Sequence, residues 1–361
     1  MPRSIVQVVQ HLSPGGIETM ALDLCRFAPE GTTTHVVSLE GTRESALAAW
    51  GKLLTYDGHL HFLDKRAGIR LGTLGRLIAL LRRLDPIAVH THHVGPLLYG
   101  GVAARIARVP VLVHTEHDAW HLHDRRRRRL QHALVSALKP ILVADADHVA
   151  AELEKLLPGH PYHVIRNGID TGRFTPGDKA EARKSLGLPP GKRLIGCAAR
   201  LEPVKGHHVL LGALRHLPND VHLALAGNGS LGEDLRSRVR DPILTGRVHF
   251  LGRVDDMPNF NRSLDLFCLP SFKEGMPLSL LEAQAAGVPC VVSDVGGCSE
   301  ALCPETGHLV QPGDIAGLAS TLTRALERPP TVSPRDFVCK GGGVRRMAKA
   351  YGALYSNGDR A

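Results

Sequence analysis

The sequence is poor in aromatic residues and shows no pairing pattern among its cysteines. Phenylalanine, tryptophan and tyrosine make up only 4% of the 361 residues, and none of them is interleaved with the clusters of arginine. Proteins that bind single-stranded nucleic acid stack bases on aromatic side chains, so the composition argues against that function. The seven cysteines are scattered, without a Cys-x2-Cys pair. They predict free thiols in a reducing cytoplasm rather than disulfides or a zinc finger.

Long hydrophobic segments are also missing from the sequence. The first apolar run, Ile5–Val9, is too short for the core of a signal peptide and predicts a strand. No segment approaches the ~18 apolar residues that a membrane-spanning helix needs. With 43% apolar and 22% charged residues, the chain is typical of a cytoplasmic globular protein with two domains.

Positive charge is abundant and unevenly distributed. The net charge is +9, and much of the excess lies in the N-terminal half. Five arginines occupy Arg125–Arg129, and others lie between Arg70 and Arg83, where Leu71–Leu84 predicts a helix. Such clusters are often a solvated face, or they bind an anionic membrane at about 1 kcal/mol per basic residue. Because nucleic-acid-binding motifs are missing, we expect contact with the inner face of a membrane and no nucleic-acid partner.

Short β-rich segments alternate with helical patterns, which predicts parallel, doubly wound α/β packing. The first group of predicted strands is Ile5–Gln10, His35–Leu39, Ile87–Thr91, Val111–Thr115, Ile141–Ala144 and Tyr162–Ile165. After the turn-rich stretch Asn167–Gly177, the second group is Leu194–Ala198, Val221–Ala226, Val248–Leu251, Leu266–Leu269, Cys290–Ser293 and His308–Val310. We expect loops at Leu39–His59 and Ala119–Gln131. A flexible glycine linker, 340–343, precedes a predicted helix at Val344–Tyr355.

The most informative segment carries two carboxylates eight residues apart, Glu274 and Glu282. Pro277 suits the first turn of a helix, and the apolar residues that follow it recur at helical spacing. Glu282 is therefore expected inside a largely buried helix, and Glu274 in the loop before it. Because the free amides of a helix N-terminus favour an anion, the segment predicts a site for a sugar joined to a diphosphate.

Two cations, Arg200 and Lys205, flank the start of a predicted helix directly after a predicted strand. Cations fixed at such a point can stabilise the negative charge that develops on a departing diphosphate. No Asp-x-Asp pair lies beside them, so we expect no metal at this position. Near the start of the chain, Gly15-Gly16 lies between a strand and a helix, where glycine lets the backbone approach a ligand closely.

Histidine is unusually frequent, with 21 residues in the chain. Seven of them crowd into 34 residues, at positions His90, His92, His93, His114, His117, His121 and His123. No His-Glu-x-x-His motif occurs among them, and the half-motif at 90–93 lacks the aspartate of known metallohydrolases. A metal-dependent hydrolase is therefore an alternative rather than the favoured function. His117, after the predicted strand Val111–Thr115, is the histidine placed best for a ligand.

The motifs together resemble the retaining, nucleotide-sugar-dependent glycosyltransferases of family 4. The elements that carry the resemblance occur in the order of that family: His11–Glu18, Asn167–Asp170, Ala199–Gly206, Leu251–Pro258, Glu274-x7-Glu282 and Gly296–Glu300. The resemblance implies the GT-B fold, an α/β fold of two Rossmann-like doubly wound domains that face an interdomain cleft. Residues 1–170 would form the acceptor-binding domain and 171–338 the nucleotide-sugar-binding domain. A helix within 339–361 would pack back on the first domain.

The resemblance also implies roles for individual residues. His117 and Glu274 would lie beside the transferred sugar as catalytic residues, with His114 or Asp118 orienting His117. Arg200 and Lys205 would contact the diphosphate, and Glu282 the ribose. The complete expected donor site is Gly16, Arg200, Lys205, Gly227, Arg253, Glu274, Gly275, Met276, Pro277, Leu278 and Glu282. We expect no cofactor apart from the nucleotide-sugar donor, and no metal.

The expected function is retaining transfer of a sugar, from a nucleoside-diphosphate donor to a lipid-linked or polysaccharide acceptor in surface-glycan synthesis. The motifs do not distinguish uracil from guanine as the base of the donor. We expect UDP rather than GDP only because uracil is the more frequent base among such donors. Three alternatives stay open: a nucleotide-sugar epimerase of the same architecture, the metal-dependent hydrolase, and a non-catalytic membrane or nucleic-acid binder that uses Arg125–Arg129.

Overall fold

The computed structural model describes residues 3–328 and 330–356. Contacts within the chain define two compact units. Unit 1 comprises the residues up to Asn167 together with the segment from Val344, and unit 2 comprises Gly168–Gly343. The sequence suggests boundaries at 170/171 and 338/339.

Each unit is built on one parallel sheet. The strands of unit 1 are β1 (Arg3–Val9), β2 (Thr32–Ser38), β3 (Leu60–Phe62), β4 (Pro86–His92), β5 (Val111–Glu116), β6 (Ile141–Ala144) and β7 (His163–Val164). Those of unit 2 are β8 (Arg193–Ala198), β9 (Val221–Ala226), β10 (Val248–Gly252), β11 (Leu266–Leu269), β12 (Cys290–Ser293) and β13 (His308–Val310). The strand orders are β3-β2-β1-β4-β5-β6-β7 and β10-β9-β8-β11-β12-β13, with parallel pairing throughout.

Helices connect successive strands. In chain order they are α1 (Gly16–Arg26), α2 (Arg43–Ala49), α3 (Leu71–Leu84), α4 (Val94–Pro96), α5 (Val102–Ala107), α6 (Arg125–Leu138), α7 (Asp147–Leu156), α8 (Lys179–Ser185), α9 (His207–Leu214), α10 (Gly232–Arg238), α11 (Met257–Arg262), α12 (Leu278–Ala285), α13 (Cys298–Ala301), α14 (Ile315–Glu327), α15 (Arg335–Gly341) and α16 (Val344–Tyr355). The 3₁₀ turns are Gly51–Tyr56, Trp120–His123 and Pro203–Lys205, and a π turn covers Leu97–Gly101. The helix–strand alternation explains why the strands read as nearly continuous apolar runs, since both faces of a parallel sheet are covered.

The expected loop at Ala119–Gln131 is wrong, because most of it is helical. Asp124 caps α6, and its Oδ1 accepts hydrogen bonds from the amides of Arg126 and Arg127, both at 2.9 Å. The five arginines form the first turns of α6, and the residues buried on its inner face, Gln131, Val135 and Leu138, come later in the sequence. Arginine is a good helix former, but a helix without early apolar residues gives no periodic signal. The expected loop at Leu39–His59 likewise contains α2 and a 3₁₀ turn.

The C-terminal helix α16 belongs to unit 1. Its buried residues Val344, Met347 and Tyr351 pack against Ile5, Val113 and other apolar residues of β1, β4, β5 and β6. The sequence suggested a flexible linker in the glycine segment before α16, but the structure shows this segment held by hydrogen bonds. Gly341 ends α15, and the carbonyl of Gly342 accepts a hydrogen bond of 2.8 Å from the amide of Ile169. Among the described residues, no helix is long and apolar enough to cross a bilayer.

Candidate active site

Both sheets have a switch point, where the connections of neighbouring strands run in opposite directions along the sheet. It lies between β1 and β4 in unit 1, and between β8 and β11 in unit 2. Ligands of open parallel sheets bind at the carboxyl ends of strands at such points. Of the predicted site residues, Gly16 follows β1, Arg200 and Lys205 follow β8, and Glu274–Glu282 follow β11. His117, Gly227 and Arg253 follow the strands β5, β9 and β10 instead.

At the switch point of unit 2, the structure brings Lys205 and Glu274 together. Lys205 Nζ lies 2.7 Å from Glu274 Oε1, and the side chain of Glu274 is only 7% exposed. Ser271 Oγ donates to the same carboxylate oxygen at 2.6 Å. A buried charge-assisted contact of this kind fixes both side chains at the ends of β8 and β11. Ser271 was not among the expected site residues, although its position three residues before Glu274 was a usable signal.

Two glycines allow the loops around Glu274 to touch through their backbones. A Cβ on Gly206 would lie 2.0 Å from the carbonyl oxygen of Pro270, and one on Gly296 would lie 1.9 Å from that of Glu274. Both have positive φ, +67° and +54°, a conformation that glycine adopts without steric cost. The amide of Gly297 donates to the carbonyl of Gly275 at 2.8 Å. The loop that carries Glu274 is therefore held by backbone contacts on both sides.

A second pair of loops holds Arg200. Gly227, at φ +142°, approaches so closely that a Cβ would lie 2.1 Å from the carbonyl oxygen of Ala199. The amide of Gly227 donates to the carbonyl of Gly252 at 2.7 Å, which joins this region to the loop of Arg253. Arg253 Nε lies 3.1 Å from Asp255 Oδ1 on that same exposed loop. The structure thus groups Gly227 with Arg200 and places Arg253 in an adjoining loop.

The Glu-x7-Glu segment differs in one detail from the expectation. Helix α12 begins at Leu278, so Pro277 is the residue before the helix and not part of its first turn. Pro277 has an extended ψ of 118°, because the chain is still turning out of the loop there. Gly275 and Met276 lie in that loop. Glu282 lies in the second turn of α12 and is half-buried.

In unit 1, His117 is held by neighbours other than those expected. Its Nε2 lies 3.1 Å from Nδ1 of His92, and its Nδ1 lies 3.5 Å from Oδ2 of Asp145. His114 contacts Thr91 and Glu116, and Asp118 contacts His121. The expectation that His114 or Asp118 orients His117 is therefore wrong.

A chain of hydrogen bonds connects His117 to the C-terminal helix. His92 Nε2 lies 3.0 Å from Oε1 of Gln7, and Gln7 Nε2 donates to Tyr355 Oη at 3.1 Å. Tyr355 Oη in turn lies 2.8 Å from His90 Nδ1. If the Gln7 carbonyl accepts from His92 Nε2, then His92 Nδ1 is the acceptor for His117. The sequence signal for this series of hydrogen bonds was Gln7, the one polar residue in the apolar strand Ile5–Val9.

Glu116 lies at the centre of a buried cluster beside His117. Its carboxylate receives hydrogen bonds from Gln131 Nε2 at 2.5 Å, His114 Nε2 at 2.8 Å and His93 Nδ1 at 2.9 Å. Burial alone would raise the pKa of Glu116, but the bonds from His114 and His93 hold it well below its usual range. Burial would lower the pKa of His93, but Glu116 and the nearby carboxylate of Asp118 raise it to about 9. The cluster is thus strongly charged and paired.

The glycine loop of unit 1 encloses a further carboxylate. Helix α1 starts at Gly16, and a Cβ on Gly15 would lie 2.3 Å from Oε2 of Glu18. Glu18 Oε1 lies 3.2 Å from His11 Nδ1, and burial raises the pKa of Glu18. Glu18 was not among the expected site residues. Gly15 therefore makes room for an acidic side chain, in addition to any approach of a ligand to the backbone of Gly16.

The model of Glycosyltransferase Family 4 matches residues 14–173, and that of Glycosyl transferases group 1 matches residues 178–337. An Escherichia coli protein, UDP-Gal:alpha-D-GlcNAc-diphosphoundecaprenol alpha-1,3-galactosyltransferase, is 32% identical over 70% of this chain and 69% of its own length. The chain belongs to the family-4 glycosyltransferases. It is a glycosyltransferase with a two-domain Rossmann-like GT-B fold.

Two further similarities support this assignment. The lipopolysaccharide core biosynthesis mannosyltransferase LpsB of Rhizobium meliloti is 32% identical to this glycosyltransferase over 60% of the chain and 65% of its own length. The crystal structure of HepE from Anabaena, in complex with UDP and glucose, superposes with a TM-score of 0.86. It covers 98% of this chain and 99% of that chain at 21% identity. At that identity, the superposition shows the fold.

The series of hydrogen bonds from Tyr355 through Gln7 and His92 to His117 gives a testable expectation for the glycosyltransferase. Tyr355→Phe should lower kcat, because Gln7 loses its partner and is free to release His92, which holds His117. Tyr99→Phe is the matched control, since the buried Tyr99 Oη accepts instead from the amide of Arg70, at 2.7 Å. Each change should cost about 1–3 kcal/mol of unfolding free energy, through a buried partner left unpaired. Thermal unfolding and kcat are measured together. Equal losses of kcat in the two variants would contradict the connection to His117.

A second expectation concerns stability in acid. Buried His207, 1% exposed, has its pKa lowered by burial to about 4. Between pH 6.5 and 4 the unfolded chain binds a proton that the folded chain does not, so the stabilisation present above pH 6.5 is lost as the pH falls. His207→Leu should flatten the fall of the unfolding free energy by at most about 1.4 kcal/mol per pH unit. His208→Leu, at the exposed neighbour, should leave it unchanged. Urea titrations at several pH values make the comparison, and parallel pH profiles for wild type and His207→Leu would contradict it.

Proposed function

We propose that this glycosyltransferase moves a sugar from a UDP-sugar to a hydroxyl of a lipid-linked or glycan acceptor, with retention of anomeric configuration, in surface-glycan synthesis. The observation that carries the proposal is the contact of Lys205 Nζ, Glu274 Oε1 and Ser271 Oγ at the switch point of unit 2. It places a cation and a carboxylate side by side, as a donor with an anionic diphosphate and a hydroxylated sugar requires.

The diphosphate would be bound without a metal ion. Lys205 and the exposed Arg200 supply fixed positive charge at the end of β8. The first turn of α12 adds backbone amides, which favour an anion. Glu274 would then accept hydrogen bonds from sugar hydroxyls, and Glu282 from the ribose. Gly227 and Arg253 would complete the donor site from the adjoining loops.

The chemical step that we propose is a front-side displacement. The bond between the anomeric carbon and the diphosphate oxygen breaks, and the acceptor oxygen forms a bond to the same face of that carbon. The departing phosphate oxygen takes the proton of the acceptor hydroxyl. Lys205 and Arg200 stabilise the charge that grows on the leaving group, and Glu274 stabilises the oxocarbenium-like centre. In unit 1, we propose His117 as a further catalytic residue, as the resemblance implies.

The relatives support the choice of donor and acceptor. The Escherichia coli relative is named for a UDP-galactose donor and a diphosphoundecaprenol-linked acceptor, and HepE was solved with UDP and glucose. The test is to incubate the enzyme with UDP-hexoses and an undecaprenyl-diphosphate-linked sugar, and to assign the new linkage by NMR. We expect acceptor-dependent UDP release and an α-linkage from an α-linked donor. An inverted product would refute retention, and donor conversion without an acceptor would indicate an epimerase.

We also propose that unit 1 contacts an anionic membrane, where such acceptors reside. Four of the arginines in Arg125–Arg129 are exposed on α6. At the start of α3, the apolar side chains of Ile69 and Leu71 are 76% and 78% exposed beside the exposed Arg70. Flotation with vesicles containing phosphatidylglycerol tests this. We expect binding at low salt that decreases when Arg125, Arg126 and Arg127 are replaced by glutamine. Equal flotation of the variant would remove α6 from the membrane surface.

A further inference from the structure

Against the expectation from the sequence that the protein binds no metal, we propose that His93, Asp118 and His121 of unit 1 bind a divalent transition-metal ion of the zinc type. Asp118 Oδ1 lies 3.1 Å from His121 Nδ1, and Asp118 Oδ2 lies 3.7 Å from His93 Nε2. One ligand atom from each residue can be chosen so that all lie within 4.8 Å of one another. Tetrahedral zinc, with bonds of about 2.0–2.2 Å, holds its ligand atoms roughly 3.4 Å apart. The cluster is therefore close to the required size.

In each histidine the ring nitrogen that faces Asp118, His93 Nε2 or His121 Nδ1, would bind the metal. The other ring nitrogen of each has a hydrogen-bond partner. His93 Nδ1 lies 2.9 Å from Glu116 Oε2, and His121 Nε2 lies 3.2 Å from Gln131 Oε1. When those oxygens accept hydrogen bonds, the protons are on His93 Nδ1 and His121 Nε2, and His93 Nε2 and His121 Nδ1 keep the lone pairs that would bind the metal. Metal-binding histidines in proteins almost always have such an outer partner, often a carboxylate. Glu116 is itself held in place by Gln131 and His114.

The chemistry of the ligands selects the class of ion. Two imidazoles with one carboxylate suit zinc and its neighbours among the transition metals, whereas magnesium and calcium prefer oxygen ligands. The carboxylates are buried, with Glu116 0% and Asp118 8% exposed. A dipositive ion would balance these two negative charges. Protons on the two histidines would do the same, so metal and protons compete for the cluster.

The position of the cluster suggests what the ion does. His93 follows β4, one of the two strands at the switch point of unit 1, and Asp118 follows the neighbouring strand β5. The ring of His93 lies 5.4 Å from that of His117, which precedes Asp118 in the sequence. An ion at this place would fix the loop that carries His117 and leave a fourth tetrahedral position for water or a substrate oxygen. The cluster belongs to unit 1, whereas the proposed diphosphate site, for which we propose no metal, belongs to unit 2.

The test measures metal content directly. Full-length protein without a histidine tag is stripped with EDTA, reconstituted with one equivalent of Zn²⁺ or Co²⁺, and desalted. We expect about one tightly held ion per chain in the wild type, and an intense visible spectrum with Co²⁺ that indicates tetrahedral coordination. His121→Ala and Asp118→Asn should lose the ion. His222→Ala is the matched control, since it removes one imidazole of a different histidine pair, His222 and His249, whose rings are stacked in unit 2.

Each result decides the proposal. No retained ion in the reconstituted wild type would overturn it, and the cluster would then be balanced by protons alone. An ion retained equally by His121→Ala and Asp118→Asn would also overturn it, because the metal would be bound elsewhere. If these variants fail to fold, the wild-type Co²⁺ spectrum decides, since an octahedral spectrum contradicts the proposed site. UDP binding is measured in parallel with EDTA-treated protein, so that failure of the donor proposal is recognised separately.

Discussion

Lys205→Ala is expected to lower kcat by about 10²–10³-fold, the usual cost of removing one group that stabilises a developing negative charge. In the structure Lys205 Nζ lies 2.7 Å from Glu274 Oε1, with 17% of the lysine side chain exposed. When a donor binds, the same ammonium group would face its diphosphate. Because the charge on the leaving group is largest in the transition state, the loss should appear in kcat more than in the KM of the donor.

The controls for Lys205 separate chemistry from folding. Lys205→Ala also leaves the carboxylate of Glu274 without its cation, which destabilises a buried group. The double variant Lys205→Ala with Glu274→Gln removes that unpaired charge and should recover stability but not turnover. Lys192→Ala, at an exposed lysine of unit 2, should behave as wild type. Turnover of Lys205→Ala close to that of wild type would show that the lysine does not face the leaving group.

Gly296→Ala should abolish donor binding and lower the unfolding free energy by roughly 2–3 kcal/mol. The added Cβ would lie 1.9 Å from the carbonyl oxygen of Glu274, and the residue has φ +54°. Backbone cannot give way as a flexible side chain can, so the loop that carries Glu274 must move. UDP affinity by calorimetry and urea unfolding should therefore both change.

Gly341→Ala is the matched control for this substitution. Gly341 lies in α15 of the same unit, and a Cβ there meets nothing within 4 Å. Alanine favours helix by about 1 kcal/mol over glycine in helix interiors, so this variant should be as stable as wild type or slightly more so. Normal UDP binding in Gly296→Ala would show that the Glu274 loop tolerates displacement, and that its backbone contacts do not define the donor site.

The strands of the fold could be predicted because parallel sheets leave a strong trace in the sequence. Val221–Ala226 and Cys290–Ser293 have the predicted limits, since each is a short apolar run bounded by turns. The strand at Leu60–Phe62 was missed, because three half-buried residues give no pattern. Helix α6 was missed because its first five residues are all arginine, so no apolar residue marks a helical period there.

The candidate site was predictable at positions where the proposed chemistry requires a particular charged side chain, a cation for the diphosphate or a carboxylate for the sugar. Lys205 and Glu274 belong to such positions, and the structure brings them into contact. The partners of His117 were not predictable. His92 and Asp145 are 25 and 28 residues away in sequence and meet His117 only because β4 and β6 flank β5 in the sheet. Such contacts depend on strand order, which a single sequence does not state.

The central claim is that unit 2 binds a uridine nucleotide through fixed side chains and without a metal. The most direct measurement is thermal unfolding with UDP, GDP and their hexose derivatives, with and without EDTA, for wild type and Glu282→Ala. We predict that UDP and a UDP-sugar raise the Tm of wild type, that the rise caused by nucleotide is the same in EDTA, and that Glu282→Ala abolishes it. A nucleotide-dependent rise that disappears in EDTA, or no rise with any nucleotide, would contradict the account.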